Sequence, residues 1–343
     1  MLIRGDARAI PLRDKSVNCI VTSPPYWGLR NYENNPRQIG NERYYTEYVK
    51  AILEVGSELY RVLRDDGTFW LVIGDSYATG SGKIARVGGG PQGEMYKRYF
   101  GLRTPGSQPG MHAMTAPNRL PQPGLKPKDL CGIPWRVALG LQEAGWYLRS
   151  DCIWSKPNPM IESAKDRPTR SHEYIFLLTK SRHYWYDSEA IAEPQSESER
   201  RRRLLEQKRG LKTRYNLRRD ESHGQHAPSK NGALHSCEAR QKLAEKGTRN
   251  RRTVWTVPKG HSKLGHFATY PRKLIQPCIL AGCPPGGIVF DPFVGTGTTI
   301  MEVQELGRIG LGMDLSYQGV AANRIGGSLF AGMVNTAYAG VGR

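Results

Sequence analysis

Two short runs in this sequence hold residue types that could do chemistry together, and they lie far apart. The first is Thr22-Ser23-Pro24-Pro25-Tyr26-Trp27. A hydroxyl, two stiff prolines and an aromatic ring suit the handling of a planar, conjugated amine. The lone pair of such an amine is delocalised and poorly available. Acceptors that draw its hydrogens out of plane free that lone pair, and Ser23 Oγ with the carbonyl of Pro24 supplies two. Pro24 and Pro25 fix the backbone and hold those acceptors at set spacing. Tyr26 offers a face on which a flipped base can stack. No strong general base is needed before transfer, since the amine loses its proton after attack. Taken alone, the run reads equally well as a proline-rich turn with an exposed aromatic.

The second run is Asp291-Pro-Phe293-Val-Gly295-Thr-Gly297-Thr298-Thr299. It sits where a strand pattern gives way to a helix pattern. A ligand approaches backbone closely there only if side chains are absent, which Gly295 and Gly297 provide. In open α/β sheets, ligands bind beyond the carboxyl ends of the strands. The next strand pattern ends in Asp314, at the distance an acidic ribose ligand requires. Ile300 occupies the third glycine position of a dinucleotide fingerprint, so that reading fails. No Gly-Lys-Ser/Thr follows, so a P-loop fails too. Beside this loop, the Ser-Pro-Pro-Tyr run reads as more than a turn.

Elements must carry these runs to one place. Residues 17–22 read as a short buried strand ending at the Ser-Pro-Pro turn. Apolar residues from Thr46 to Leu63 recur at helical spacing, Asp66-Gly67 breaks the pattern, and Thr68–Ile73 reads as a buried strand. A helix over Pro134–Glu143 and strands over Tyr147–Trp154 and Tyr174–Thr179 follow. The last third predicts a helix over Pro271–Ala281, a strand over Ile288–Asp291, a tight loop, a helix over Thr299–Leu306 and a strand over Ile309–Asp314. That is a βαβ unit, which implies a parallel sheet with helices packed on it. Met1–Asp6 reads as the start of a strand rather than a signal peptide.

The 343 residues carry a net charge of +19, and its placement is informative. Residues 200–252 hold 17 lysines and arginines against five acids, and residues 79–128 hold eight against one. The remainder balances, so a neutral scaffold carries two basic inserts. Phosphate backbones are the usual partner of such segments. Residues 79–128 contain 10 glycines and seven prolines, which disfavours helix and strand alike. Six scattered cysteines form no Cys-x-x-Cys pair. A disulfide framework and a zinc site are therefore disfavoured, no metal is expected, and a reduced cytoplasmic setting fits. No apolar run is long enough for a membrane span. Cys278 follows a proline, as a C5-methylating nucleophile would, but falls within an expected helix, where a buried structural cysteine is the simpler reading. His172 reads as a packing or pocket residue. Trp27 and Trp154 could stack on bases or fill the core.

Together these motifs resemble the amino-methyltransferase group of DNA methyltransferases, which act on N4 of cytosine or N6 of adenine. Ser-Pro-Pro-Tyr upstream and Phe-x-Gly-x-Gly downstream is the order of the permuted β group. The resemblance implies an α/β fold: a Rossmann-like sheet with helices on both faces, circularly permuted motifs and added basic inserts. It implies S-adenosyl-L-methionine as cofactor, held by Asp6, Tyr270, Asp291, Phe293, Gly295, Gly297, Thr298 and Asp314. Asp6 resembles the acidic residue that contacts the cofactor's adenine, and His266-Phe-Ala-Thr-Tyr270-Pro271 resembles the motif near its methionine end. Ser23, Pro24, Pro25 and Tyr26 take the catalytic position. Trp154-Ser-Lys156-Pro-Asn158 and Ser171-His172-Glu173-Tyr174 resemble scaffold motifs near the target-base pocket.

The resemblance divides the chain into a catalytic half (1–78), a Gly/Pro-rich insert (79–128), continued core (129–186), a target-recognition insert (187–254) and a cofactor-binding half (255–343). Arg200, Arg201, Arg202 and Arg203 then become phosphate contacts on duplex DNA. A homodimer and a cognate restriction endonuclease are the further partners such a protein takes, and the nucleoid is its place in the cytoplasm. Ser rather than Asp at residue 23 leans toward N4-cytosine within the group, with N6-adenine as the alternative. RNA or protein-amide methylation is a nearer rival, and a DNA-binding regulator with a vestigial core a more distant one.

Overall fold

The computed structural model describes residues 1–28, 37–78, 117–208, 246–260 and 270–315, with Ala321, Ala322 and Ile325 beyond them. Most of the first basic insert, residues 209–245 of the second, and His266–Thr269 lie outside the described residues. The chain divides into two units, one of Met1–Tyr186 with Thr253–Arg343 and one of Asp187–Arg252.

The larger unit is built on an eight-stranded mixed sheet. Its strands are β1 (Leu2–Arg4), β2 (Val17–Thr22), β3 (Leu63–Ile73), β4 (Tyr147–Ser155), β5 (His172–Thr179), β8 (Val254–Thr256), β9 (Ile288–Asp291) and β10 (Ile309–Asp314). The order across the sheet is β1-β10-β9-β2-β3-β5-β4-β8. The first five in that order run parallel, β5 is antiparallel to both neighbours, and β8 is parallel to β4.

Alternating side chains of the central strands serve two cores, because successive residues of a strand face opposite ways. On one face Ile20, Phe69, Leu71 and Phe290 pack with helices α1 (Tyr45–Val62) and α2 (Ile133–Glu143). On the other face, around Cys19, Thr68 and Trp70, lies a helix preceding the glycine loop, Arg272–Gly282, numbered α4 below. Helix Thr298–Glu305, numbered α5, covers β10 beside it, with Ile300 and Val303 over Gly310. The described cysteines are all buried.

The smaller unit contains a two-stranded ladder of β6 (Glu193–Pro194) and β7 (Thr248–Arg249) and the helix α3 (Glu197–Lys208). No helix among the described residues is long and apolar enough to cross a membrane.

The expected helices and strands of the scaffold form within a residue or two of their sequence signals. The start of β3 is different. The sequence places a break at Asp66-Gly67, yet the strand begins at Leu63, directly after α1. Leu63 pairs with Val17, and the ladder then jumps to Thr68 opposite Cys19. Residues 64–67 bulge out, so the turn residues are present but absorbed inside a strand.

Helix α4 approaches the sheet at glycine distance. A Cβ on Gly282 would lie 2.3 Å from Thr68 Oγ1 and 2.6 Å from Trp70 Nε1, while the Gly282 carbonyl accepts a hydrogen bond from Thr68 Oγ1 at 3.0 Å. Gly282→Ala should therefore overpack this contact and cost about 1–3 kcal/mol. Urea unfolding checks this; an unchanged midpoint would show that the helix can slide outward freely.

Candidate active site

The two motif runs meet because their strands are neighbours. β9 leads through α5 to β10 in one direction across the sheet, with the helix on one face. β2 leads through α1 to β3 in the opposite direction, with the helix on the other face. The strand order thus reverses between β9 and β2, and a crevice opens at their carboxyl ends. Asp291 ends β9 and Thr22 ends β2. Thr22 Oγ1 donates to Asp291 Oδ1 at 2.5 Å, across 269 residues of sequence.

Asp291 is a buried hub. Its carboxylate also accepts from the Phe293 N–H at 3.0 Å, from Tyr270 Oη at 3.1 Å and from Thr299 Oγ1. Tyr270 Oη lies 2.5 Å from Thr299 Oγ1. Burial pushes the Asp291 carboxyl up to about 6, against the pull of those hydrogen bonds. Burial and the Asp291 charge push the Tyr270 hydroxyl well above its ordinary range. Tyr270 and Asp291, both read from the sequence as cofactor-binding, thus act first on each other and on the loop.

The glycine loop follows. Gly295 and Gly297 have φ of 49° and 83°, in the left-handed region that other residues adopt at a cost. A Cβ on Gly297 would crowd Ile325 Cδ1 at 2.9 Å, while one on Gly295 would meet nothing closer than 3.9 Å and would project into open space. Asp314, at the end of β10, accepts the Gly295 N–H at 3.0 Å and faces the same space.

That space is a cavity of about 580 Å³, within the range of small-molecule sites. Gly5, Asp6, Phe293, Gly295, Thr298 and Asp314 line it, and so do Ser23, Pro24, Pro25, Tyr26 and Tyr270. Asp6 is engaged on both oxygens by Arg8, at 3.0 and 2.7 Å. Burial pushes its carboxyl up, but Arg8 outweighs this and holds it below its ordinary value. Asn118, from the described end of the first insert, reaches the cavity too. That end is stitched down by buried Gln122, whose Oε1 accepts the Tyr45 N–H at the start of α1, 3.1 Å away.

The Ser-Pro-Pro-Tyr turn is clamped from several sides. Tyr48 of α1 donates to the Pro25 carbonyl at 2.9 Å. Tyr26 Oη donates to Glu173 Oε2 at 2.7 Å, and the Ser23 hydroxyl is a further partner of Tyr26. Burial and the Glu173 charge push the Tyr26 hydroxyl well above its ordinary range. Glu173 Oε1 pairs with Lys156, whose ammonium sits 4.2 Å from the centre of the Trp154 ring. Burial pulls Lys156 down, and Glu173 offsets part of this. A Cβ on Gly74 would lie 2.7 Å from Tyr26 Cε2, so the tyrosine ring rests on bare backbone at the end of β3.

Sequence reasoning placed Lys156 and Glu173 near the pocket but missed their pairing with Tyr26, and it missed Tyr48, Gly74 and Gln122 entirely. The signal for Gly74 was present: a glycine directly after a buried strand. Trp27 and Trp154 are 3% and 4% exposed, and each indole donates to a backbone carbonyl, Glu42 and Val257 respectively. Both are core residues that border the cavity. His172 borders it as well and packs edge-on against Tyr174. Cys278 is fully buried in α4. The four arginines belong to the other unit, on α3. Arg200, Arg201 and Arg202 are exposed, and Arg200 donates to the Gly247 carbonyl at 3.3 Å. The Arg203 side chain lies outside the described residues.

A family model described as DNA methylase, of the N6/N4 methyltransferase kind, matches residues 17–322. The chain is 41% identical over 330 residues to the type II methyltransferase M.Cfr9I of Citrobacter freundii, covering 95% of this chain and 87% of that one. It is 40% identical to M.SmaI of Serratia marcescens, covering 94% and 90%. Among solved structures, the PvuII DNA methyltransferase (cytosine-N4-specific) superposes with a TM-score of 0.56 at 16% identity, covering 94% of this chain and 85% of that one. This last likeness is one of fold.

The Asp291 hub makes a pH prediction. Between its ordinary value of 3.8 and about 6, the folded chain keeps a proton that the unfolded chain has lost. Stability therefore falls as pH rises through that window, by on the order of 3 kcal/mol in full. Asp291→Asn does not titrate. Urea unfolding from about pH 4 to about pH 7 should show wild type losing ground to the variant, then levelling off. A constant difference across pH would contradict a buried, titrating Asp291.

Proposed function

The chain belongs to the N6/N4 DNA methylase family, and from that premise we propose that it methylates N4 of cytosine in duplex DNA, using S-adenosyl-L-methionine. One observation carries the reading. The Thr22–Asp291 hydrogen bond sets the amine-handling turn and the glycine loop on one cavity.

The residues fit the cofactor. Gly295 leaves open space where a side chain would intrude, and Asp314 presents an acceptor of the kind that takes ribose hydroxyls. Asp6, fixed by Arg8, and Phe293 line the same cavity as Asp314, and Thr298 opens the helix that follows the loop. When bound, S-adenosylmethionine supplies an electrophilic methyl group. The chain does the rest. Ser23 Oγ and the Pro24 carbonyl accept the hydrogens of the target amine and turn its lone pair out of the ring plane. Tyr26 bounds the flipped base, with its ring seated on Gly74 and its hydroxyl held by Glu173. No residue is asked to form a covalent bond with the base.

Cytosine rather than adenine rests on Ser23 at the head of the turn. The unit of residues 187–252 is proposed to read the DNA sequence, with Arg200–Arg203 on phosphates. Its surplus of cations supports this, because phosphate neutralisation drives affinity. The catalytic strand β2 precedes the cofactor strand β9 in the chain, which supports the permuted order. The type II relatives support a cognate endonuclease that shares the recognised site, and with it a place on the nucleoid. A homodimer belongs to the same reading.

Incubating plasmid DNA with the protein and cofactor, then mapping modified bases by single-molecule sequencing, should give N4-methylcytosine at one recurring sequence. N6-methyladenine there would overturn the choice of base. Ser23→Ala should slow single-turnover transfer by on the order of 10²–10³-fold, the scale for losing one preorganised partner of the reacting group. Cofactor affinity by calorimetry should hold. A normal rate would remove Ser23 from the mechanism.

A further inference from the structure

The loop joining β4 to β5, residues 156–171, forms one wall of the cavity. Its tip carries Met160 and Ile161, 71% and 92% exposed, the two most exposed large hydrophobics among the described residues. Single exposed apolar side chains are ordinary on a protein surface. These two are adjacent, and Met160 also lines the cavity. The flanks of the loop are fastened while its tip stands clear. Lys156 N–H donates to the Ser171 carbonyl at 2.7 Å, closing the base of the loop. Asn158 Oδ1 accepts the Lys259 N–H at 2.9 Å. Arg167 pairs with Glu162 and covers the Tyr77 ring at 3.9 Å, and Arg170 donates to the Asp75 carbonyl.

We propose that Met160 and Ile161 are the wedge that enters the duplex as the target base leaves it, with Ile161 filling the vacated place in the stack and Met160 bordering the extruded nucleotide. Extrusion opens a gap between neighbouring base pairs, and unstacking costs free energy. An apolar side chain inserted there restores part of the lost contact, and Ile and Met are among the residues that insert in this way. The gain requires a tip that stands clear of the protein, as Met160 and Ile161 do between fastened flanks. The setting suits duplex DNA more than a protein partner. Arg170 and Lys259 share the cavity wall with Met160, and exposed Lys165 stands on the same loop. Lys128 pairs with Asp166 of that loop, with both side chains well exposed. Such surface pairs are weak and yield readily to a phosphate.

The proposal rests on the reading of the cavity as a DNA-base pocket, and the experiment separates the two. Single-turnover methyl transfer is measured on two oligonucleotide duplexes carrying the mapped site. One is fully paired, and the other has an abasic position opposite the target base, which lowers the cost of extrusion. Ile161→Ala should be slower than wild type by about 10-fold or more on the paired duplex and within about threefold of it on the other. Ile161→Leu, which keeps an apolar wedge, should restore most of the paired rate. Equal losses on both duplexes, or no loss on the paired one, would overturn the wedge. So would an Ile161→Asp variant that changes sedimentation without DNA and leaves the paired rate unchanged, because the tip would then pack on a second copy of the chain. A wild-type product on adenine would change the assigned base while leaving this comparison of duplexes readable.

Discussion

A single buried carboxylate holds the two halves of the site in register. Asp291 ends one strand, Thr22 ends its neighbour, and the hydrogen bond between them fixes how far each motif projects beyond the sheet. The same carboxylate receives the first backbone N–H of the glycine loop through Phe293, and through Tyr270 and Thr299 it ties the helices on either side of that loop. Burying this charge is costly unless its oxygens are paired. Three hydroxyls and one amide do so, which explains why a group so disfavoured by its surroundings is tolerated. The Ser-Pro-Pro-Tyr turn and the glycine loop are two ends of one hydrogen-bonded assembly.

What the sequence made legible follows from what is local. The glycine loop, the downstream Asp314, the rigid Ser-Pro-Pro-Tyr turn and the helices around them are each encoded within a few residues, by φ requirements, proline stiffness and apolar period. The partners of those residues are encoded elsewhere. Glu173 holds Tyr26 from 147 positions away, and Gln122 caps α1 from 77 positions away. No periodicity announces such pairs, because they are created by strand order. The antiparallel insertion of β5 between β3 and β4 brings Glu173 and Lys156 to Tyr26, and a parallel sheet read from the last third alone does not foretell it. The early start of β3 is a similar case, where pairing with Val17 overrides a local break.

Aromatic residues show the same division. Trp27 and Trp154 carry the chemistry to stack on a base, yet both are buried at the cavity's edge with their indole N–H groups satisfied. Their service is indirect. Trp154 provides a face for the Lys156 ammonium, which in turn pairs with the carboxylate that orients Tyr26. A chain of contacts from core to cavity thus fixes the tyrosine hydroxyl, while its ring rests against Gly74.

The place of β1 has a bearing on how the molecule is made. Leu2, Ile3 and Arg4 pair with Gly312, Met313 and Asp314 and, among the described residues, with no other strand. This strand therefore lacks its sheet partner until roughly 300 further residues have been made, on the order of 15–60 s at ordinary rates of translation. Asp6, just beyond β1, is held meanwhile from the other side, through Arg8, which also donates to the Arg37 carbonyl. Without β10 the pocket lacks Asp314 and its side of the cavity, so the site is whole only once β1 and β10 have paired.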